Sequence, residues 1–510
     1  MRRKTFIHSM VVACVVLFMA ASAWATQPKY VFFFLGDGMS SSQIQATEAY
    51  LTTINGGVAT EAVDLLKPKN RLNMSKLDVA GMQTTYDAHA LMTDSASSAT
   101  AFACGLKTLS GVIGMDDTKT YSYKSIAQLA HEAGMKVGVL SSVSLDHATP
   151  AAYYADVVNR GYMNNIATQL AESGYEFFGG GGLVAPTGAA RGGDTENDVW
   201  TLLKENGYTV LKERDAILNL MDDPKDKVVC INPVLPSSSA MPYAIDKPAE
   251  NLSLAEMTEV AIENLYSDRR GHGWRRNRNR DRGFFIMVEG GKVDWACHAN
   301  DAVAAMGDML DFDDAIGVAL DFYKKHRNET LIVVTGDHET GGMTIGHATT
   351  AYTAHYDKLV GQVSSFENFA SQYWANFKSA NEDACPSADI NEDMKRLMYR
   401  QFGLDFDSLN DYQKEKLEDA YDKSLCGSND NSGAENTFLY GSYEPIIVTI
   451  THILNENASI GWTSYSHTGV PVPIFAQGRY AELFAGFYDN TDIAKKLAKA
   501  MHLGTMPVEK

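Results

Sequence analysis

Phe32-Phe33-Phe34-Leu35, followed at once by Gly36 and Asp37, is a short, continuously apolar run closed by glycine and an acid. Two more runs share its form: Phe284 to Val288 leads into Glu289 and Asp294, and Leu331 to Val334 leads into Asp337-His338. Such runs read as strands buried on both faces, which predicts a parallel sheet, and parallel sheets bind ligands beyond the carboxyl ends of their strands. A single acid at a strand end is an ordinary helix cap or turn residue. Acids repeated at three strand ends, with histidines beside two of them, point to a metal site.

Working outward, strand-like and helical runs alternate from Tyr30 to Gly346, as where Ser125 to Ala133 precedes Val137 to Ser141. The alternation predicts an α/β fold: a central, mostly parallel β-sheet sandwiched by helices. Phe177-Phe178 before Gly179 to Gly182 is another strand end; the glycines lack the Lys-Ser/Thr ending of a phosphate loop and read as a tight turn. Past His347 the pattern turns helical, with Phe366, Phe369, Tyr373 and Phe377 in helical spacing and Asp411 to Lys423 a charged helix with Leu417 and Tyr421 inward. Residues 351–440 are therefore expected to form a helical insertion, leaving 26–350 and 441–510 as the α/β domain that carries the strand-end acids. Strands are expected to resume at Pro445-Ile446-Ile447-Val448 and from Gly469 to Phe475. There is no internal repeat.

The 510 residues are 45% hydrophobic, ample for a real core, and the formal charge of -19 argues against a general nucleic-acid or anionic-membrane binder. A phosphate-bearing ligand must then be held by local charge. Seven arginines between Arg269 and Arg282 read as a solvated loop, with anion collection near a site entrance as the sharper alternative. Arg2, Arg3 and Lys4, an apolar stretch from Ile7 to Ala21 and Ala23-Trp24-Ala25 form the pattern of a secretory signal, residues 1–25, with cleavage after Ala25. The expected location is periplasmic or secreted, without stable membrane insertion; Val11-Val12-Ala13-Cys14 is a weaker match to a lipoprotein box. Of the five remaining cysteines, Cys385 and Cys426 flank a helical stretch and are the favoured disulfide, although sequence alone leaves pairing open. Cys104 reads as a small buried residue of an apolar helix.

Asp94-Ser95-Ala96-Ser97-Ser98-Ala99-Thr100-Ala101 opens a helix of small residues. Asp94 suits a cap; Ser95, in the first turn, feels the positive end of the helix, and a neighbouring cation makes such a hydroxyl a nucleophile. Asp294 and His298, four residues apart in Asp294-Trp295-Ala296-Cys297-His298, share a helical face and can reach one ion, whereas Cys297 points elsewhere. Asp337 and His338 can both face a cleft where their strand turns.

Taken with Gly36-Asp37-Gly38-Met39, His147-Ala148-Thr149-Pro150, Gly336-Asp337-His338-Glu339-Thr340-Gly341-Gly342 and Ser466-His467-Thr468, these segments resemble alkaline phosphatase, in order from Tyr30 to Phe475. The resemblance implies an exported phosphomonoesterase with two zinc ions and one magnesium ion, usually a homodimer. It implies Asp294, His298 and His467 for the first zinc, and Asp37, Asp337 and His338 for the second, beside the nucleophile Ser95. Asp37, Thr149 and Glu289 would serve magnesium, and Arg160 would clamp two phosphate oxygens with its planar fork. Read by itself, Arg160 is a surface arginine on a helix through Tyr153 to Asn159.

His147 and Trp295 stand where some members of the family carry Asp and Lys, a pairing closer to the bacterial, large-insertion, Vibrio-like type. His147 is then expected to hydrogen-bond a water of the magnesium ion, and Trp295 to border the phosphate. Three divalent ions contribute about +6, four carboxylates and an ionised serine remove about five, and Arg160 adds one, so the site retains about +2 for a phosphate dianion. Two zincs about 4 Å apart suit an in-line displacement. Phosphodiesterases of the same superfamily and a non-catalytic metal- or phosphate-binding protein are the competing readings. The absence of Pro and Arg from the Ser95 context argues against a sulfatase.

Overall fold

The computed structural model describes residues 27–266, 282–381 and 389–510. The signal pattern, Cys14, Cys385 and all of the arginine run except the exposed Arg282 lie outside those residues. Strand β1 (Tyr30–Gly36) is buried at every position because both edges are paired and both faces covered. It runs parallel to β7 (Phe284–Gly290) and β8 (Thr330–Gly336), with Phe33 opposite Met287 on one side and Val333 on the other. Continuity of apolar character follows directly, as no face is left for polar residues.

The other strands are β2 (Val79–Gln83), β3 (Lys136–Ser141), β4 (Phe177–Gly180), β5 (Thr209–Leu211), β6 (Val228–Ile231), the short β9 (Glu339–Thr340), β10 (Thr344–Ile345), β11 (Ile460–Gly461) and β12 (His467–Thr468), then β13 (Val472–Gly478) and β14 (Gly486–Tyr488). Ten form one sheet in the order β14-β2-β13-β8-β1-β7-β3-β4-β6-β5. Only β13 runs against the rest, antiparallel to both β8 and β2. Two ribbons, β9 with β12 and β10 with β11, lie outside the sheet.

The helices that build the layers and the site are α1 (Ser41–Ile54), α2 (Ser95–Cys104), α3 (Ile126–Glu132), α4 (Ala148–Ala151), α5 (Met163–Glu172), α6 (Leu254–Leu265), α7 (Lys292–His298), α8 (Ala302–Lys325), α9 (Glu392–Phe402), α10 (Asp411–Cys426), α11 (Gly433–Tyr440), α12 (Pro445–Ala458) and α13 (Thr491–Met501). Alternation along β1 sorts them: Val31, Phe33 and Leu35 pack with residues of α2, α3, α5 and α13, while Phe32 and Phe34 pack with α6, α7 and α8. Each fully buried Phe contributes about 1.5–3 kcal/mol, so the central strands anchor the fold.

The described residues between 356 and 440 are mostly helical and contain no strand. Met394, Met398 and Phe402 of α9 and Leu417 and Tyr421 of α10 join a third apolar cluster with Ile450, Ile453 and Leu454 of α12 and Met306 of α8. Two expectations need correction. Pro445 to Val448 is not a strand: Pro445 occupies the first turn of α12, where its missing N–H costs nothing, and buried Ile450, Ile453 and Leu454 continue the apolar pattern at helical spacing. Nor is Tyr153 to Asn159 a helix, since α4 ends at Ala151 and Val157 bridges Ile113 instead. Cys426 is disulfide-bonded, whereas Cys104, Cys230 and Cys297 are free and buried.

Candidate metal centre and active site

The order β8-β1-β7-β3 brings four strand ends side by side. Gly36 pairs with both Gly336 and Gly290, so Asp37 and Asp337, each one residue beyond, emerge at one level; Glu289 pairs with Leu35 on one side and Ser141 on the other. Asp37, Asp337, His338 and Glu289 are all fully buried. His338 Nε2 lies 3.4 Å from Asp37 Oδ1 and 3.1 Å from Asp337 Oδ2. Asp337 is oriented by the backbone N–H groups of Gly38 (3.1 Å) and His338 (2.8 Å) and by the Ser98 hydroxyl, which donates to Oδ2 at 3.0 Å. The Ser141 hydroxyl holds Glu289. Gly38 is required here: its backbone takes φ +75°, and a Cβ would come within 2.8 Å of the Asp294 Cα.

A second group gathers at the mouth. Asp294 and His298 lie one turn apart on α7, with Oδ2 and Nε2 3.3 Å apart, and His467 at the start of β12 brings its Nε2 within 3.5 Å of Asp294 Oδ1. The Nδ1 atoms of His298 and His467 donate to the carbonyls of Tyr465 (2.6 Å) and Thr93 (2.7 Å). That fixes both protons on Nδ1 and turns both Nε2 lone pairs inward, only 3.0 Å apart. Two facing lone pairs repel unless a proton or a cation lies between them. Thr340, two residues beyond His338, supports this group with a hydroxyl donated to Asp294.

A third group joins Asp37, His147 and Glu289, so Asp37 is common to two of the three sets whose donor atoms lie within 4.8 Å of one another. Thr149 Oγ1 is 3.5 Å from Asp37 Oδ2. His147 Nε2 lies 3.1 Å from Arg160 Nη2; because a guanidinium only donates, the histidine accepts there and carries its proton on Nδ1. Arg160 Nη1 donates to Asp94 Oδ2 at 2.8 Å, and the same carboxylate caps α2 by accepting from the Ser97 N–H. Arg160 and Ser95 are thus both tied to Asp94, Ser95 as the buried first residue of α2. Trp295 lies against His147 edge to face, with ring centroids 6.0 Å apart. The structure therefore brings together the ligands expected from sequence and sets Arg160, His147 and Trp295 in one adjoining chain of contacts. Cys297 turns away, toward Gln43.

Electrostatics tests whether cations fit. Burial, and then the facing carboxylates, push Asp37 well above the ordinary carboxyl range. Burial likewise raises Glu289 to about 8 and Asp337 to about 6. Burial drives His338 well below its usual value, and burial with Arg160 takes His147 down to about 3, so both imidazoles are neutral. Asp37 Oδ1, Glu289 Oε1 and His338 Nε2 are buried without a hydrogen-bond partner. Orphaned oxygens and a neutral imidazole in a water-poor pocket are what divalent cations require, and mixed oxygen and nitrogen donors suit zinc and magnesium. In Asp94, by contrast, Arg160 and the Ser97 hydrogen bonds outweigh burial and hold the carboxyl down to about 2.

Sequence reasoning passed over Ser98, Thr340 and Ser141. Ser98 carried a usable signal, being three residues after Ser95 on the same helical face. Ser141 carried none, because its role depends on β3 lying beside β7.

A doubly covered parallel sheet with clustered acids and imidazoles at adjacent strand ends defines a metal-dependent α/β enzyme. The chain belongs to the alkaline phosphatase family, whose sequence profile matches residues 28–503. It is 30% identical to alkaline phosphatase 3 of Bacillus subtilis (strain 168) over 475 residues, covering 93% of this chain and 89% of that protein. It is 27% identical to the Escherichia coli (strain K12) alkaline phosphatase, covering 63% and 72%. Among solved structures, the cold-active alkaline phosphatase of a psychrophilic Shewanella sp. superposes with TM-score 0.70 at 26% identity, covering 92% of this chain and 99% of that one. A histidine-to-glutamate variant of TAB5 alkaline phosphatase, with magnesium bound in its M3 site, superposes with TM-score 0.60 at 27% identity, covering 94% and 100%. No helix among the described residues is long and apolar enough to cross a membrane.

Proposed function

We propose that the chain hydrolyses phosphate monoesters through a phosphoserine formed on Ser95. Asp294, His298 and His467 would hold one zinc, Asp37, Asp337 and His338 a second, and Asp37, Glu289 and Thr149 a magnesium ion. The observation that carries the reading is the sharing of Asp37 between two cation-fitting groups, which makes the centre one polynuclear unit. The magnesium reported in the M3 site of the TAB5 variant supports the third ion. His147, the remaining member of the group with Asp37 and Glu289, would hydrogen-bond a water of that ion.

When bound, the cations supply Lewis acidity that lowers the serine pKa and offsets charge on the leaving oxygen. Ser95 Oγ attacks phosphorus, forming the Oγ–P bond as the bond to the ester oxygen breaks and the alcohol leaves with a proton. Arg160, its side chain 29% exposed beside Asp94, turns its fork to two non-bridging oxygens. Water then attacks phosphorus from the face opposite Ser95, releasing phosphate and restoring the hydroxyl. Contacts confined to the phosphoryl group leave the alcohol unselected, so a range of small monoesters is the expected substrate class.

The N-terminal signal pattern supports export to the periplasm or medium, and the family supports a homodimer with a second copy of this chain. The 351–440 helices, built on α12 and α8, are proposed to be an insertion in the catalytic domain. The test is phosphate release from a monoester and from a diester by protein loaded with zinc and magnesium. Monoester turnover should dominate; a faster diester overturns the assignment, and stoichiometric capture without turnover favours a binder. Ser95→Ala should keep its metal content and lose about 10³-fold or more in rate, as removal of a nucleophile does in other hydrolases.

A further inference from the structure

Lys292 opens α7 two residues before Asp294, and its side chain is fully buried. A buried ammonium needs a partner, and its Nζ lies 3.0 Å from Glu367 Oε2. Glu367 comes from the short helix Phe366–Asn368, 75 residues along the chain. The same ammonium sits 3.7 Å from the ring centroid of Tyr243 and 4.8 Å from that of Trp295. Trp295 in turn packs against His147, and His147 accepts from Arg160. The segment bearing Glu367 is itself held down: Asp301 accepts from Gln362 Nε2 at 2.8 Å and from the Phe366 N–H at 2.9 Å.

We propose that the Glu367–Lys292 ion pair is a positioning device for Trp295, and through Trp295 and His147 for the phosphate-clamping fork of Arg160. Glu367 fixes the ammonium against the indole, the indole fixes the imidazole, and the imidazole fixes one guanidinium nitrogen. A region remote in sequence thereby sets how firmly phosphate is gripped without touching it. A desolvated cation over an indole is a strong enough contact to decide its orientation, and small misplacements of an oriented clamp are costly. Only the last link, Arg160 to phosphate, rests on the function proposed above.

Glu367→Gln removes the charge and keeps the shape, at a side chain that is 21% exposed and so opens no cavity. In protein loaded with zinc and magnesium, the Kd for inorganic phosphate, measured by calorimetry below the melting transition, should rise about three- to tenfold; the melting midpoint should fall because the buried ammonium loses its partner, and part of the loss of affinity should be recovered in Glu367→Asp. In a Trp295→Phe background, Glu367→Gln should add nothing further. Trp295 emission, obtained by subtracting the spectra of matched Trp295→Phe proteins, should shift in Glu367→Gln. Unchanged Trp295 emission, or equal loss of phosphate affinity in both backgrounds, overturns the proposal. Wild-type protein that neither binds phosphate nor hydrolyses a monoester would sink the phosphatase reading instead, and the emission shift would still decide the role of the ion pair.

Discussion

Asp37, Asp337 and His338 form a triad sealed at the strand ends, whereas Asp294, His298 and His467 form one at the mouth whose histidine side chains are 26% and 15% exposed. The sealed triad has two carboxylates and one neutral imidazole, and burial raises both acids by more than Arg160 at Asp37, or His467 and the hydrogen bonds at Asp337, lower them. In the open triad the proportions are reversed. Burial alone would raise Asp294, yet the two imidazoles hold it well below its usual value; Asp294 in turn outweighs burial at His467 and raises it to about 9. Two donor sets of the same residue types thus respond differently to loss of a cation: protons on imidazole can replace it at the mouth, and nothing except protonated carboxyls can replace it inside.

The largest expected effect breaks the symmetry at Asp37. Asp37→Ala should lower both zinc and magnesium content and cost about 10²-fold or more in rate, beyond the roughly 10–100-fold typical of a residue that only supports a ligand. His467→Ala should lower zinc alone, and elemental analysis of the two purified variants distinguishes them. Equal ion losses would mean that Asp37 is not shared.

Next in size is the pH dependence of the chelated protein. Glu289, raised to about 8, and Asp337, raised to about 6, keep protons in the folded chain that ordinary carboxyls, with pKa near 4, have lost when unfolded. Their contribution to stability therefore falls as pH rises from about 4 to about 8, opposed below about pH 6.5 by the lowered His147 and His338 and unopposed by them above it. The raised His467 acts in the same direction, its contribution complete below about pH 6.5 and lost as pH rises through about 9. The depressed Asp294 contributes above about pH 4 and is lost below it, which leaves a mildly acidic optimum. With zinc and magnesium the trend should reverse, because bound ions require deprotonated donors. Thermal melts with and without chelator from pH 5 to 9 test this; metal-free protein as stable at pH 9 as at pH 6 would remove the contrast between the triads.

The smallest effect belongs to Thr149. Its hydroxyl lies beside Asp37 and Glu289, which meet in the third group, so Thr149→Ala should weaken magnesium about tenfold, the loss typical of one supporting contact, with zinc content unchanged. Titration calorimetry with magnesium reads the difference.

Much of the candidate site was legible because the residues proposed as its ligands sit in short local patterns. Asp294 and His298 show their shared face by spacing, and Asp337-His338 follows its strand directly. His467 and Arg160 had no such pattern and were reached through family resemblance, Arg160 with a helix that the structure replaces by a turn. Pro445 to Val448 misled because β-branched residues favour strands locally, and only packing of the longer pattern against α8 and α10 makes α12 a helix.

By itself the sequence determined which segments must be buried strands and which acids close them, since continuous apolar runs cannot satisfy a wet face. Only the tertiary structure decided that β8, β1, β7 and β3 are neighbours, and hence that Asp337, Asp37 and Glu289 converge and Ser141 supports them. Strand order is set by how helices and crossovers pack over the whole domain, and no local stretch carries that information. The Glu367–Lys292–Trp295 contacts belong to the same class: their chemistry is written in the residues, their meeting only in the fold.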